Sequence, residues 1–167
     1  MNLTIRMKLM SLGAIGVVIA LGLAFIGYRA IRTYGDASGA ATVLVEALRN
    51  QQNADMMHDA LRADVLRALS ITEDGKLDPK DAEETKEGLE EHIHNFKTAM
   101  AANARLELPG AIKAGISLVT PKLEAYIQSS QIELERVFKD RRVAKASFPE
   151  FQEAFEALEK PMAALSE

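Results

Sequence analysis

Residues 50–70 read NQQNADMMHDALRADVLRALS. Set on a wheel at about 100° per residue, Ala54, Met57, Leu61, Val65 and Ala68 fall on one apolar stripe, the face expected to meet a core. Roughly 60–120° around lies a second line: Leu44, Leu48, Gln51, Asp55, His58, Arg62, Leu66 and Leu69. It is apolar at both ends and polar through its middle. A helix with two adhesive faces is expected where it packs into its own bundle and also against a partner subunit. The polar interruption is then a buried site or a device that fixes register.

Upstream, residues 9–28 read LMSLGAIGVVIALGLAFIGY, twenty residues without a charge. At 1.5 Å per residue they reach roughly 30 Å, the hydrocarbon thickness of a bilayer. Arg6 and Lys8 precede the run, and Arg29 and Arg32 follow it. A cleavable signal peptide shares the basic start but has a shorter apolar region, about 7–15 residues, and a small-x-small exit. This longer run leaves through Tyr28 and Arg29, so an uncleaved transmembrane helix is expected. The positive balance, with the amino terminus counted, favours a cytoplasmic location for residues 1–8. Residues 29–167 then lie outside, in the periplasm of a Gram-negative cell.

From residue 33 to residue 70 there is no proline, so one helix is expected to run from the span into the folded domain, with Gly35 and Gly39 as soft points. Residues 72–78 (TEDGKLD) read as a turn. Asp78 suits an N-cap and Pro79 the first helical position, with the acids at 81, 83 and 84 favouring the positive end of the helix dipole. Leu108, Pro109 and Gly110 break the chain, and Pro121 is expected to kink the helix that follows near Val119. Ser147 and Glu150 match a capping box, with Phe148, Phe151, Phe155 and Leu158 at helical spacing after it. The helices are therefore expected at about 33–71, 79–104, 109–142 and 148–167. The fold class is all-α: an antiparallel up-and-down four-helix bundle preceded by one transmembrane helix.

Composition agrees with this layout. Aromatic residues make up 5% of the 167, tryptophan is absent, and helix-forming aliphatic and charged residues dominate. Cysteine is absent, which removes disulfides, thiolate metal sites and thiol nucleophiles. A net charge of −4 offers no basic surplus to a phosphate backbone, so nucleic acid is not an expected partner.

Two readings of the polar line stand side by side, with the register device as a third. At i,i+3 and i,i+4 spacing, Asp55, Asp59 and His58 with Arg62 suit surface ion pairs. Alternatively Arg62, with Arg67 or a partner subunit's arginine, clamps a small carboxylate or other anion at a dimer seam. The candidate ligand-binding residues are thus Gln51, Asp55, His58, Asp59, Arg62 and Arg67. His92 and His94 lie two apart, point in different directions on a helix, and with Glu91 read as a solvated face. Glu83, Glu84, Glu87, Glu90 and Glu91 read as exposed helix surface. No phosphate loop, HExxH motif or nucleophile elbow occurs, so no enzyme, metal or cofactor is expected.

The basic start MNLTIRMKLM, the single span, the long first helix and the closing F-x-x-x-F-x-x-L-E-x-x-M of residues 151–162 together resemble a known layout. It is similar to the N-terminal transmembrane segment and periplasmic four-helix-bundle sensor module of methyl-accepting chemotaxis proteins. Related modules also front histidine kinases and diguanylate cyclases. Two D-x-x-R patterns, Asp59 with Arg62 and Asp64 with Arg67, fall on the first bundle helix, where that family's ligand-binding residues tend to lie. The resemblance implies a homodimer in the bacterial inner membrane whose first helices pair across a two-fold axis. Its partner is a small, anionic ligand near that seam, or a periplasmic binding protein in its place. A receptor of that layout continues beyond residue 167 into a second span, a linker and a methylated signalling hairpin. A single-pass anchored interaction protein is the alternative.

Overall fold

The computed structural model describes residues 4–73 and 77–165, apart from the side chain of Lys8. Four helices account for most of them: α1 Ile5–Ile71, α2 Pro79–Arg105, α3 Gly110–Lys139 and α4 Arg141–Ala163. No strand occurs among the described residues. The chain divides into two compact units, Met1–Thr42 and Val43–Glu167.

In the first unit α1 is already helical at Ile5 and remains so through Gly35 and Gly39. Its large apolar side chains, from Leu9 to Tyr34, are exposed all round the helix. The most apolar 18-residue window of α1 has a mean hydropathy of 2.5, with none of it buried. By length and composition this one helix can cross a bilayer.

The second unit has a continuous core. The stripe read on α1 supplies Ala54, Leu61, Val65 and Ala68, all fully buried, with Met57 partly buried at its edge. Facing them are Phe96 from α2, Val119, Leu123 and Tyr126 from α3, and Phe151, Phe155 and Leu158 from α4. Polar contacts fix the directions of the helices. On α1 and α2, Ala47 pairs with Asn103, Asp64 with His92 and Arg67 with Glu84. On α1 and α4, Gln51 pairs with Met162 and His58 with Phe155. Lys97 meets Glu124 and Lys86 meets Phe138 between α2 and α3, while Tyr126 meets Phe151 and Glu133 meets Ser147 between α3 and α4. In each pairing, rising numbers on one helix meet falling numbers on the other, so all four pairings are antiparallel.

Asp78 caps α2, accepting a hydrogen bond from the Lys80 amide at 2.8 Å, with Pro79 in the first turn. Of the turn expected at 72–78, residues 74–76 lie outside the described residues, as do 1–3 and 166–167. α3 starts at Gly110 rather than 109, Pro109 taking the cap position, and it is continuous across Pro121.

The junction between α3 and α4 differs from the sequence reading. α3 ends at Lys139 and α4 begins at Arg141, with Asp140 alone extended between them (φ −156°, ψ 102°). The Asp140 carboxylate accepts from the amides of Arg142 and Val143, satisfying two donors that a new helix leaves open. The Arg142 amide also holds the Asp140 carboxyl below its ordinary range. Ser147 is therefore inside α4 and caps nothing. Its hydroxyl donates to Glu133 Oε2 at 2.8 Å and lies near the carbonyls of Val143 and Ala144. Glu150 turns to Arg136, 3.6 Å away. Ser-x-x-Glu spacing fits a helix interior as well as a helix start, and the stronger cap seven residues upstream prevails.

Candidate functional site

The polar line of α1 is sorted by its neighbours. Gln51 and His58 are turned inward, exposed by only 4% and 2%. The Gln51 amide nitrogen donates to the Met162 carbonyl at 3.1 Å. His58 stacks on Phe155, with ring centroids 4.1 Å apart and planes 7° from parallel, and meets Tyr126 edge-on at 5.1 Å. Its Nε2 lies 3.2 Å from the Phe155 carbonyl. A carbonyl only accepts, so Nε2 carries the proton and Nδ1 of the neutral ring is the acceptor. Burial pushes the His58 pKa down, against the Phe155 carbonyl and the charges of Asp59, Asp55 and Glu159, which raise it. The Tyr126 hydroxyl donates to the His58 carbonyl at 3.0 Å, and burial raises that phenol's pKa.

Arg62, one turn beyond His58, lies with its guanidinium carbon 4.6 Å above the centre of the Phe155 ring. It is half-buried, and its Nε is buried without a hydrogen-bond partner. Among the described residues no carboxylate comes within ion-pair distance of it. Asp55 and Asp59 are exposed and do not close on it. Phe155 thus meets both an imidazole and a cation, both delivered by α1.

Arg67 goes elsewhere. Five residues after Arg62, it lies about 140° further round the helix and pairs with Glu84 of α2 at 3.4 Å. An Arg62–Arg67 clamp within one copy is therefore not formed. The six candidates divide into an inward pair (Gln51, His58), an exposed pair (Asp55, Asp59), Arg62 over α4 and Arg67 over α2.

Two polar clusters escaped the sequence reading. His92 is not merely solvated surface: its Nδ1 lies 2.7 Å from Asp64 Oδ2. Burial raises the Asp64 carboxyl, opposed by the His92 hydrogen bond. The spacing carried a signal, because Asp64 follows Leu61 by three and precedes Ala68 by four, while His92 stands the same way between Leu89 and Phe96. His94 is exposed as expected. The second cluster centres on Glu133, which is buried and held by Ser147 and by Arg136 at 3.4 Å. Among the described residues no three His, Asp or Glu side chains are grouped to hold a metal ion. Comparison with known proteins adds no relative: no family model, curated protein or solved structure matches the chain.

Proposed function

We propose that this chain is the membrane-anchored sensory module of a bacterial signalling receptor of the chemotaxis type, binding a small anion beside Arg62 at a seam between two copies. In this reading residues 9–28 span the inner membrane, residues 1–8 are cytoplasmic and residues 29–167 are periplasmic. The antiparallel contacts among α1 to α4 support an up-and-down four-helix bundle as the sensing body. The observation that carries the ligand site is Arg62 itself, a half-buried cation with one buried donor unfilled and no carboxylate in reach. An unfilled buried donor costs about 1–3 kcal/mol, and a carboxylate arriving from outside the chain relieves that cost with a charge-assisted bond. On the same line of α1, Leu66 one turn beyond Arg62 and Leu48 and Leu44 about four and five turns before it are exposed, an apolar rim suited to the α1 of a second copy. Ligand affinity that differs between two arrangements of the paired helices shifts their populations, and that shift is the signal.

A thermal-shift series on the whole chain in lipid nanodiscs tests this, with acetate, succinate and citrate as probes. A binding anion at about 100 times its dissociation constant adds roughly 2.7 kcal/mol of stability. The gain disappears in Arg62→Ala and persists in Arg67→Ala, whose side chain is engaged by Glu84. Stabilisation undiminished by Arg62→Ala contradicts the site.

A second reading, a single-pass anchored interaction protein, is favoured by the exposed Val45 and Met56 on the same helix. It predicts no response to any of the anions and capture of a protein partner through α1. A histidine kinase or diguanylate cyclase as output keeps the sensor role, and a periplasmic binding protein replaces the small ligand without moving the seam.

A further inference from the structure

At the end of the second unit that carries Val43, a cavity of about 190 Å³ lies between the four helices, away from Arg62. Leu44, Ala47, Leu48 and Gln51 of α1 form one wall, Asn103 stands on α2, Ile112 and Ile116 on α3, and Leu165 follows α4. Leu44 and Leu48 are 45% and 49% exposed in a single copy, so the α1 side of the cavity is the side that the proposed seam would cover.

Its two polar residues are both incompletely bonded. Gln51 and Asn103 are each only 4% exposed. Gln51 Nε2 donates to the Met162 carbonyl, and Asn103 Nδ2 donates to the Ala47 carbonyl at 3.1 Å. Carbonyl partners fix which end of each amide is nitrogen. Both remaining side-chain oxygens, Gln51 Oε1 and Asn103 Oδ1, are then buried acceptors without a donor. No ionised side chain lines the space, and the other six lining residues are apolar.

We propose that this cavity is a second binding site, for a small neutral molecule with N–H or O–H donors at one end and a short apolar tail, as in an aliphatic primary amide. The two donors of an –NH2 group fill the two orphaned oxygens, and the tail covers the leucine and isoleucine side chains. Neutrality follows from the lining: a cation would lose its hydration with no carboxylate to replace it, and an anion would face two acceptors. A water bridging the two oxygens has the two polar partners a held water needs, but it leaves the apolar walls uncovered. A second apolar cleft shares Ile112 and Leu165 as walls and adds Ala111, Gly115, Leu118 and Pro161, leaving space for a longer tail past Leu165.

The test uses the whole chain in lipid nanodiscs and titrates butyramide against N,N-dimethylbutyramide, which keeps the tail and carbonyl but has no donor. Calorimetry, with saturation-transfer NMR on the ligand, reads the binding. Saturable millimolar binding of butyramide is expected, with the dimethyl analogue weaker by about tenfold or more. Ala47→Leu, which fills the cavity with a helix-favouring side chain, abolishes the binding while circular dichroism and the melt show the fold retained. Loss of the Arg62 anion response leaves butyramide binding intact, so the two sites fail independently. No saturable binding of butyramide by the folded wild-type chain, as when waters hold the cavity, overturns the proposal. So does equal binding of the donor-free analogue, or binding that survives Ala47→Leu.

Discussion

Residues 9–28 and residues 43–71 belong to one continuous helix, yet they dispose their apolar side chains in opposite ways. In the first stretch leucine, isoleucine, valine and phenylalanine surround the helix and every one is exposed. In the second, Ala54, Leu61, Val65 and Ala68 gather on one stripe and vanish into the core. Helix propensity does not separate the two, because both are rich in residues that suit a helix. What differs is the surroundings each pattern calls for: an all-round apolar surface suits hydrocarbon, and a single stripe suits three other helices. α1 also keeps Leu44, Leu48 and Leu66 apolar and exposed beside the buried stripe, with Val45 and Met56 exposed on its far side. It is on this exposed surface that the proposed seam with a second copy is placed.

The ring of Phe155 belongs to the core and also carries His58 and Arg62. Phe155→Ala is expected to cost about 3–5 kcal/mol in chemical denaturation of the second unit. The same large-to-small change in the two parts of α1 should separate them: Leu61→Ala costs about 2–5 kcal/mol, while Leu21→Ala leaves that unfolding transition unmoved. Ile19→Arg should raise the cost of membrane insertion by roughly 2.5–3.5 kcal/mol, read as a shift from the membrane to the soluble fraction.

A pH titration sharpens the picture of the inward face. His58 is favoured neutral in the folded state, so its folded pKa lies below the unfolded value near 6.5. Unfolding then takes up a proton, and stability should fall as pH drops below about 6.5 towards the folded pKa. His58→Gln removes that limb. Asp64 acts in the other sense: its raised pKa stabilises the fold as pH falls through the folded pKa towards 3.8, so Asp64→Asn leaves the His58 limb in place. The smallest effect is expected at Arg62. Its cation–π contact is worth about 0.5–1 kcal/mol and offsets an unfilled buried donor, so Arg62→Ala should change stability little while removing anion binding.

How much of this could be read from the sequence depended on how local the signal was. The apolar run, the stripe on α1 and the Asp78–Pro79 start of α2 each follow from a few neighbouring residues, and each stands in the structure. The α3–α4 junction was misplaced because Ser147 and Glu150 are compatible with a helix interior, and Asp140 was the stronger cap. Helical angle places the polar residues on one line of α1 but says nothing about their neighbours. His58 is buried because Phe155 offers a ring and a carbonyl 97 residues away, and Arg67 is drawn aside by Glu84. The Asn103 and His92 contacts likewise depend on which helix packs opposite, a tertiary fact.

The exposed apolar rim of α1 as the seam of a pair is what the sensory reading rests on, and the absence of native cysteine makes it directly testable. Leu48→Cys, and Gln128→Cys on an exposed part of α3, would each be oxidised in native membranes and run on a non-reducing gel. Position 48 is expected to give rapid disulfide-linked dimers, unchanged on dilution of the membranes with lipid, and position 128 monomers. Monomers at position 48, or equal cross-linking at both positions, would contradict the seam.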